Sequence, residues 1–225
     1  MVRYGFKVLR LPVNWSGMEP HEGEFSEAYF ETLDRVIDLA SAAGLDVLID
    51  VHQDAWSKEI GEDGAPLWAI VPPPKQLLEG RLDDLAARRV STQVRNAFQG
   101  FFENREGIQD RFLPVWKHLV GRYANRPDEP FVSHFDPSQK TLHDFYREIL
   151  PPMRELDDRH LLWLEPGVVR NYLNSAPLLE QLFPDENIVY CPHIYPSGVD
   201  ASTYEEWKTW LVENYSSMRV EADSW

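Results

Sequence analysis

The chain has 225 residues, a formal net charge of −15 and 43% hydrophobic residues, enough for one sizeable core. So acidic a balance argues against a nucleic-acid partner, because phosphate binding needs concentrated Lys and Arg. Cys191 is the one cysteine, which excludes an internal disulfide, and no apolar run approaches the length of a membrane span. Residues 7–13 read as a strand that follows the N-terminus with no charged-then-apolar leader. That leads to the expectation of a cytoplasmic chain or a missing N-terminal segment. Ser26 is a good N-cap, and Tyr29, Leu33, Val36, Ile37 and Ala40 form one apolar stripe at helical spacing until Gly44 stops it. Residues 47–51 are a second strand. Residues 55–79 hold Gly61, Gly64 and four prolines and read as a long, functional loop.

Helices are predicted over residues 81–102 and 109–123, and another over 142–153, which Pro151-Pro152 is expected to bend or shorten. Residues 161–165 and 188–191 are apolar runs of the kind found in buried parallel strands, and a last helix spans 203–215. Strand alternating with helix implies a parallel α/β sheet covered by helices, within a single domain over residues 1–225.

Polar residues crowd the carboxyl ends of the first two strands: Arg10, Asn14 and Trp15 after one, His52 and Asp54 after the other. In a parallel barrel, that end carries the active site. Arg10 reads as a guanidinium polarising an active-site carboxylate, or else as a structural ion pair. His52 alone would be a core histidine. Flanked by Asp50, Gln53 and Asp54, it carries more polarity than packing explains. Trp15 and Trp68 read as core aromatics or as stacking platforms for sugar rings.

The residues that carry a family resemblance are Val8-Leu9-Arg10-Leu11-Pro12-Val13 with Trp15 and Glu19-Pro20, then Asp50-Val51-His52-Gln53-Asp54. The Gly61–Trp68 loop, Glu165-Pro166-Gly167 and Pro192-His193-Ile194-Tyr195-Pro196 follow in order. The chain resembles glycoside hydrolase family 5 (cellulase family A), in its endoglycosylceramidase-like branch. The resemblance implies a (β/α)8 TIM barrel and a retaining glycosidase without a cofactor. The expected substrate is a carbohydrate or glycolipid with a β-glucosyl unit, such as a glycosphingolipid or a β-glucan, and the expected parent is secreted. It further implies that His52 and Asp54 bond sugar hydroxyls, that His193 and Tyr195 serve the nucleophile, and that Glu129 is the acid/base.

Two departures stand out. The family's Asn-Glu-Pro at the end of strand four is here Asn125-Arg126-Pro127-Asp128-Glu129-Pro130-Phe131, which reads as a deletion between Asp128 and Glu129. The chain also stops before the strand that carries the family nucleophile, so no residue here is assigned that role. The barrel is therefore expected to be incomplete, with strands one, four, seven and eight missing or unrecognised, and the chain as written to show no turnover. The rivals are a catalytically inactive carbohydrate-binding remnant, and a metal-dependent hydrolase using Asp50, His52 and Asp54 as ligands.

Overall fold

The computed structural model describes residues 2–78, 85–126, 131–133, 139–165, 185–191 and 203–222. Its centre is a five-stranded sheet in which strand order follows chain order. The strands are β1 (Val8–Val13), β2 (Asp46–Val51), β3 (Phe131–Ser133), β4 (Leu162–Leu164) and β5 (Ile188–Tyr190), each parallel to its neighbour. The four strands expected from sequence are present and parallel. The fifth, β3, lies between β2 and β4, in the place of the unrecognised fourth barrel strand, and it follows Glu129-Pro130 in the chain.

The helices are α1 (Trp15–Met18), α2 (Glu27–Ala42), α3 (Leu85–Arg89), α4 (Thr92–Phe102), α5 (Ile108–Tyr123), α6 (Gln139–Arg154) and α7 (Tyr204–Ala222). Ser26 caps α2 by accepting from the Tyr29 N–H, satisfying one of the donors that a helix start leaves over. The helix expected over 81–102 is two helices in the described residues. Ser91 adopts an extended conformation and accepts from the Val94 N–H, so α4 starts afresh there. The last expected helix is longer than its apolar stripe and reaches Ala222. Helix α6 runs through Pro151 and Pro152 to Arg154, although each proline removes one helical N–H donor near its end.

Alternation along β2 sends Val47, Ile49 and Val51 into the core with Phe30, Leu33 and Ile37 of α2, and leaves Asp50 on the opposite face. An aromatic cluster joins the loop after β2 to α4, α5 and α6: Phe101 lies 5.2 Å from Trp56, 5.6 Å from Phe112 and 5.2 Å from Phe145, centroid to centroid. Arg122 of α5 reaches Glu27 at 2.7 Å and Asp34 at 2.6 Å, tying α5 to α2. Where the chain enters β4 and β5, Arg154 grips Asp185 at 2.6 Å and His160 pairs with Asp157, so this end is a structural clasp. The opposite end of the sheet is the one with chemistry.

Candidate functional site

The sequence Asp46-Val-Leu-Ile-Asp50-Val puts a carboxylate at a strand position that would otherwise be apolar, and the fold buries it completely. Pro12 is Asp50's register partner, so Arg10 lies diagonally across on the same face and its guanidinium meets Asp50 Oδ2 at 2.8 Å. His52 leaves β2 with its N–H held by the Val13 carbonyl at 2.7 Å. Its Nδ1 lies 3.1 Å from Asp50 Oδ2 and its Nε2 3.2 Å from Asp54 Oδ2. Arg89 of α3 extends the row, reaching Asp54 Oδ1 at 3.5 Å and Glu62 Oε2 at 2.6 Å. The result is a line of alternating charge from β1 to α3 across the mouth of the sheet.

The hydrogen bonds from Asp50 and then Asp54 push the His52 pKa up to about 10 against the opposing effect of burial. The ring is therefore an imidazolium at neutral pH, with both N–H groups donating. This refines the expected role of His52. Both ring nitrogens face carboxylates. Among the described residues no group of three or more His, Cys, Asp and Glu is placed to hold a metal ion, so the metal-hydrolase rival gains no support there. The Asp54 side chain is 36% exposed, so its carboxylate is reachable from solvent.

The stability linked to His52 has a definite pH window. An unfolded histidine titrates near 6.5. The folded chain holds the proton more tightly, so the contribution is complete below about pH 6.5 and is lost as pH rises through about 10. Thermal melts between pH 6 and 10.5 should show wild type losing Tm faster than His52→Gln over that window. Parallel curves would mean that the ring is not held as an ion.

Of the two roles weighed for the tryptophans, Trp15 has the burial of a core aromatic. Trp15 is 4% exposed, and its indole N–H donates to the buried Glu19 carboxylate at 2.8 Å, which also accepts from the Gly23 N–H at 2.7 Å. Trp68 is half-buried, packs edge-on to Trp15 at 5.2 Å and lies under the Arg111 guanidinium at 5.9 Å. Both rings are committed to packing, so stacking faces for sugar are not available on Trp15. Its edge does line a small cleft with His52, Gln53, Trp56 and Phe112.

Trp56 was not among the residues singled out from sequence. Its backbone sits at φ 67°, held by Gln53 Oε1 accepting from its N–H at 3.3 Å and by the Ala65 N–H on its carbonyl at 2.5 Å. Such strain persists only where the surroundings enforce it. Gly64 is one of those enforcers, with φ +148° and room for no side chain, since a Cβ would lie 2.4 Å from the Trp56 carbonyl. Gly64→Ala should therefore cost about 1–3 kcal/mol and loosen the loop over His52, which urea unfolding and tryptophan fluorescence would register.

Glu165 follows β4 and is buried, as expected for a strand-end acid, and Tyr146 donates its hydroxyl to the Glu165 carbonyl at 3.0 Å. Burial, with the charges of Glu165 and Asp50, pushes the Cys191 thiol pKa well up. Glu129, His193 and Tyr195 lie outside the described residues. Glu129 precedes Phe131, the first residue of β3, whereas Asn14, His52, Asp54 and Glu165 all follow their strands.

A parallel strand-and-helix sheet with acids, a histidine and an arginine gathered at the strands' carboxyl ends has the arrangement of a barrel-type α/β site. A family model described as Cellulase (glycosyl hydrolase family 5) matches residues 1–224, and the chain belongs to that family. It is 41% identical over 220 residues to endoglycoceramidase I of Rhodococcus hoagii (strain 103S), a match covering 87% of this chain and 44% of that protein. An endoglycoceramidase of Cyanea nozakii is 23% identical over 213 residues, covering 76% of this chain and 42% of the relative. The chain thus spans less than half the length of these relatives. Among solved structures, endo-glycoceramidase II from Rhodococcus sp. superposes with a TM-score of 0.78 at 20% identity, covering 97% of this chain and 56% of that one. That likeness extends the fold to the family's TIM barrel, of which the described residues form part. No helix among the described residues is long and apolar enough to cross a membrane.

Proposed function

We propose that the protein is a glycosidase that hydrolyses O-glycosyl bonds with retention, acting on a β-glucosyl-type unit such as the glucose of a glycosphingolipid. The observation that carries this reading is the Arg10–Asp50–His52–Asp54 row at the strands' carboxyl ends. Asp54 accepts from a sugar hydroxyl. Asp50, neutralised by Arg10 and the His52 ion, keeps the row rigid and supplies a fixed field where charge develops on the sugar. The 41% identity to an endoglycoceramidase supports a glycolipid over a β-glucan. By family resemblance, Glu129 is the acid/base, and His193 and Tyr195 would orient a nucleophile, a role to which no residue of this sequence is assigned.

The deciding experiment compares release of oligosaccharide from a lactosylceramide with hydrolysis of an aryl cellobioside. Preference for the glycolipid supports the reading, preference for the cellobioside moves it to β-glucans, and neither turnover nor lactose binding overturns it. A carbohydrate-binding protein without catalysis is the second reading, favoured by Glu129 standing before β3 instead of after it. Lactose binding without turnover would select it. Where turnover is seen, Glu129→Gln should slow substrates with poor leaving groups by about 100-fold or more and activated aryl glycosides far less, because only the former need a proton. Equal effects on both would move the acid elsewhere, with Glu165 the next carboxylate to test.

A further inference from the structure

We infer that Arg89 is a positioning residue of the sugar site, holding the Asp54 carboxylate against His52. The inference rests on the sugar-site reading for its meaning, but its geometry stands apart from it. Arg89 ends α3, 35 positions along the chain from Asp54, and its side chain is 47% exposed. Its Nε meets Glu62 Oε2 at 2.6 Å and its Nη2 faces Asp54 Oδ1 at 3.5 Å, while Asp54 Oδ2 faces His52 Nε2 at 3.2 Å. One guanidinium thus bridges a strand end, a loop and a helix. The backbone repeats the link, since the Asp54 N–H donates to the Asp63 carbonyl at 3.2 Å.

Asp54 is open enough to water that its carboxylate would otherwise exchange the ring for solvent. Glu62 is more buried than Asp54 and anchors the guanidinium, and the planar fork then fixes the second carboxylate. Lys has the charge but not the fork. The charged groups along this row are Arg10, Asp50, His52, Asp54, Arg89 and Glu62, so each can be varied against the others.

Two mechanisms give opposite signs. If Arg89 positions Asp54, its removal frees the carboxylate and the His52 midpoint falls. If Arg89 acts only as a distant positive charge, its removal strengthens Asp54 as a partner and the midpoint rises. The test is an NMR titration of the histidine rings in the whole chain, with His52 assigned through His52→Gln, for Arg89→Met, Arg89→Lys and Asp54→Asn. The expected result is a fall of about one pH unit or more in Arg89→Met, a smaller fall in Arg89→Lys, and no further fall when Arg89→Met is added to Asp54→Asn. An unchanged or raised midpoint overturns the inference, as does a further fall in the Asp54→Asn background. Lactose binding is measured in parallel, with about a 3–10-fold loss expected in Arg89→Met if Asp54 contacts sugar. Lactose binding to no form of the protein would count against the sugar reading and leave the His52 result standing.

Discussion

Asp50→Asn is expected to destabilise the protein by about 3 kcal/mol, roughly 6–12 °C in Tm for a chain of this size. The same change should drop the His52 titration midpoint by more than one pH unit. Asp50 is fully buried and is shared by two cations, Arg10 at 2.8 Å and His52 at 3.1 Å. Its hydrogen bond is the largest cause of the raised His52 pKa. An amide keeps the shape but leaves guanidinium and imidazolium facing each other without the charge between them. The partial exposure of Arg10 holds the cost to the lower end of what breaking a buried pair brings. Urea unfolding and histidine NMR would measure the two effects independently. A stable variant with an unmoved midpoint would show that Asp54 alone holds the ring.

Phe101→Ala should be costlier still, by about 3–5 kcal/mol. Phe101 is completely buried and joins α4 to Trp56 in the loop, Phe112 on α5 and Phe145 on α6. Those aromatic neighbours are themselves fixed, so the space left by the ring cannot collapse easily. Because Trp56 is one of them, the variant should also perturb the cleft beside His52, visible as a changed tryptophan emission before global unfolding. Phe102→Ala next to it, only half-buried, should cost clearly less. Equal losses for the two would argue against a cluster centred on Phe101.

Much of this architecture was legible because the strongest signals were long. The runs that became β1, β2, β4 and β5 are apolar, bounded and followed by polar residues, and Ser26 and Gly44 mark the ends of α2. Strand β3 was not legible, since three residues between Pro130 and His134 carry no periodicity. Its strand character comes from the two neighbours it pairs with. The break between α3 and α4 was available in Ser91-Thr92, an N-cap signal overridden by the apolar spacing around it. Among the site residues, Arg10, His52 and Asp54 stood out because they sit at strand ends. Asp50's part was underestimated, although a carboxylate inside an apolar strand is a signal in itself. Arg89 and Glu62 were invisible, because only the folded loop and α3 bring them to Asp54.

The sheet's strand order has a kinetic side. Because each strand pairs with the one made before it, the sheet can grow in the direction of synthesis, with every new strand meeting a ready template. The first step is more local, since only α1, α2 and their connections separate β1 from β2. The next is not, since Ile49 must find Phe131 across the whole Ala55–Ala124 stretch. Closing so long a segment around a strand of three residues returns little pairing energy for its entropy. The β2–β3 junction is therefore the expected rate-limiting closure. Until it forms, the outer side of β2 stays unpaired on a chain still seeking its partner.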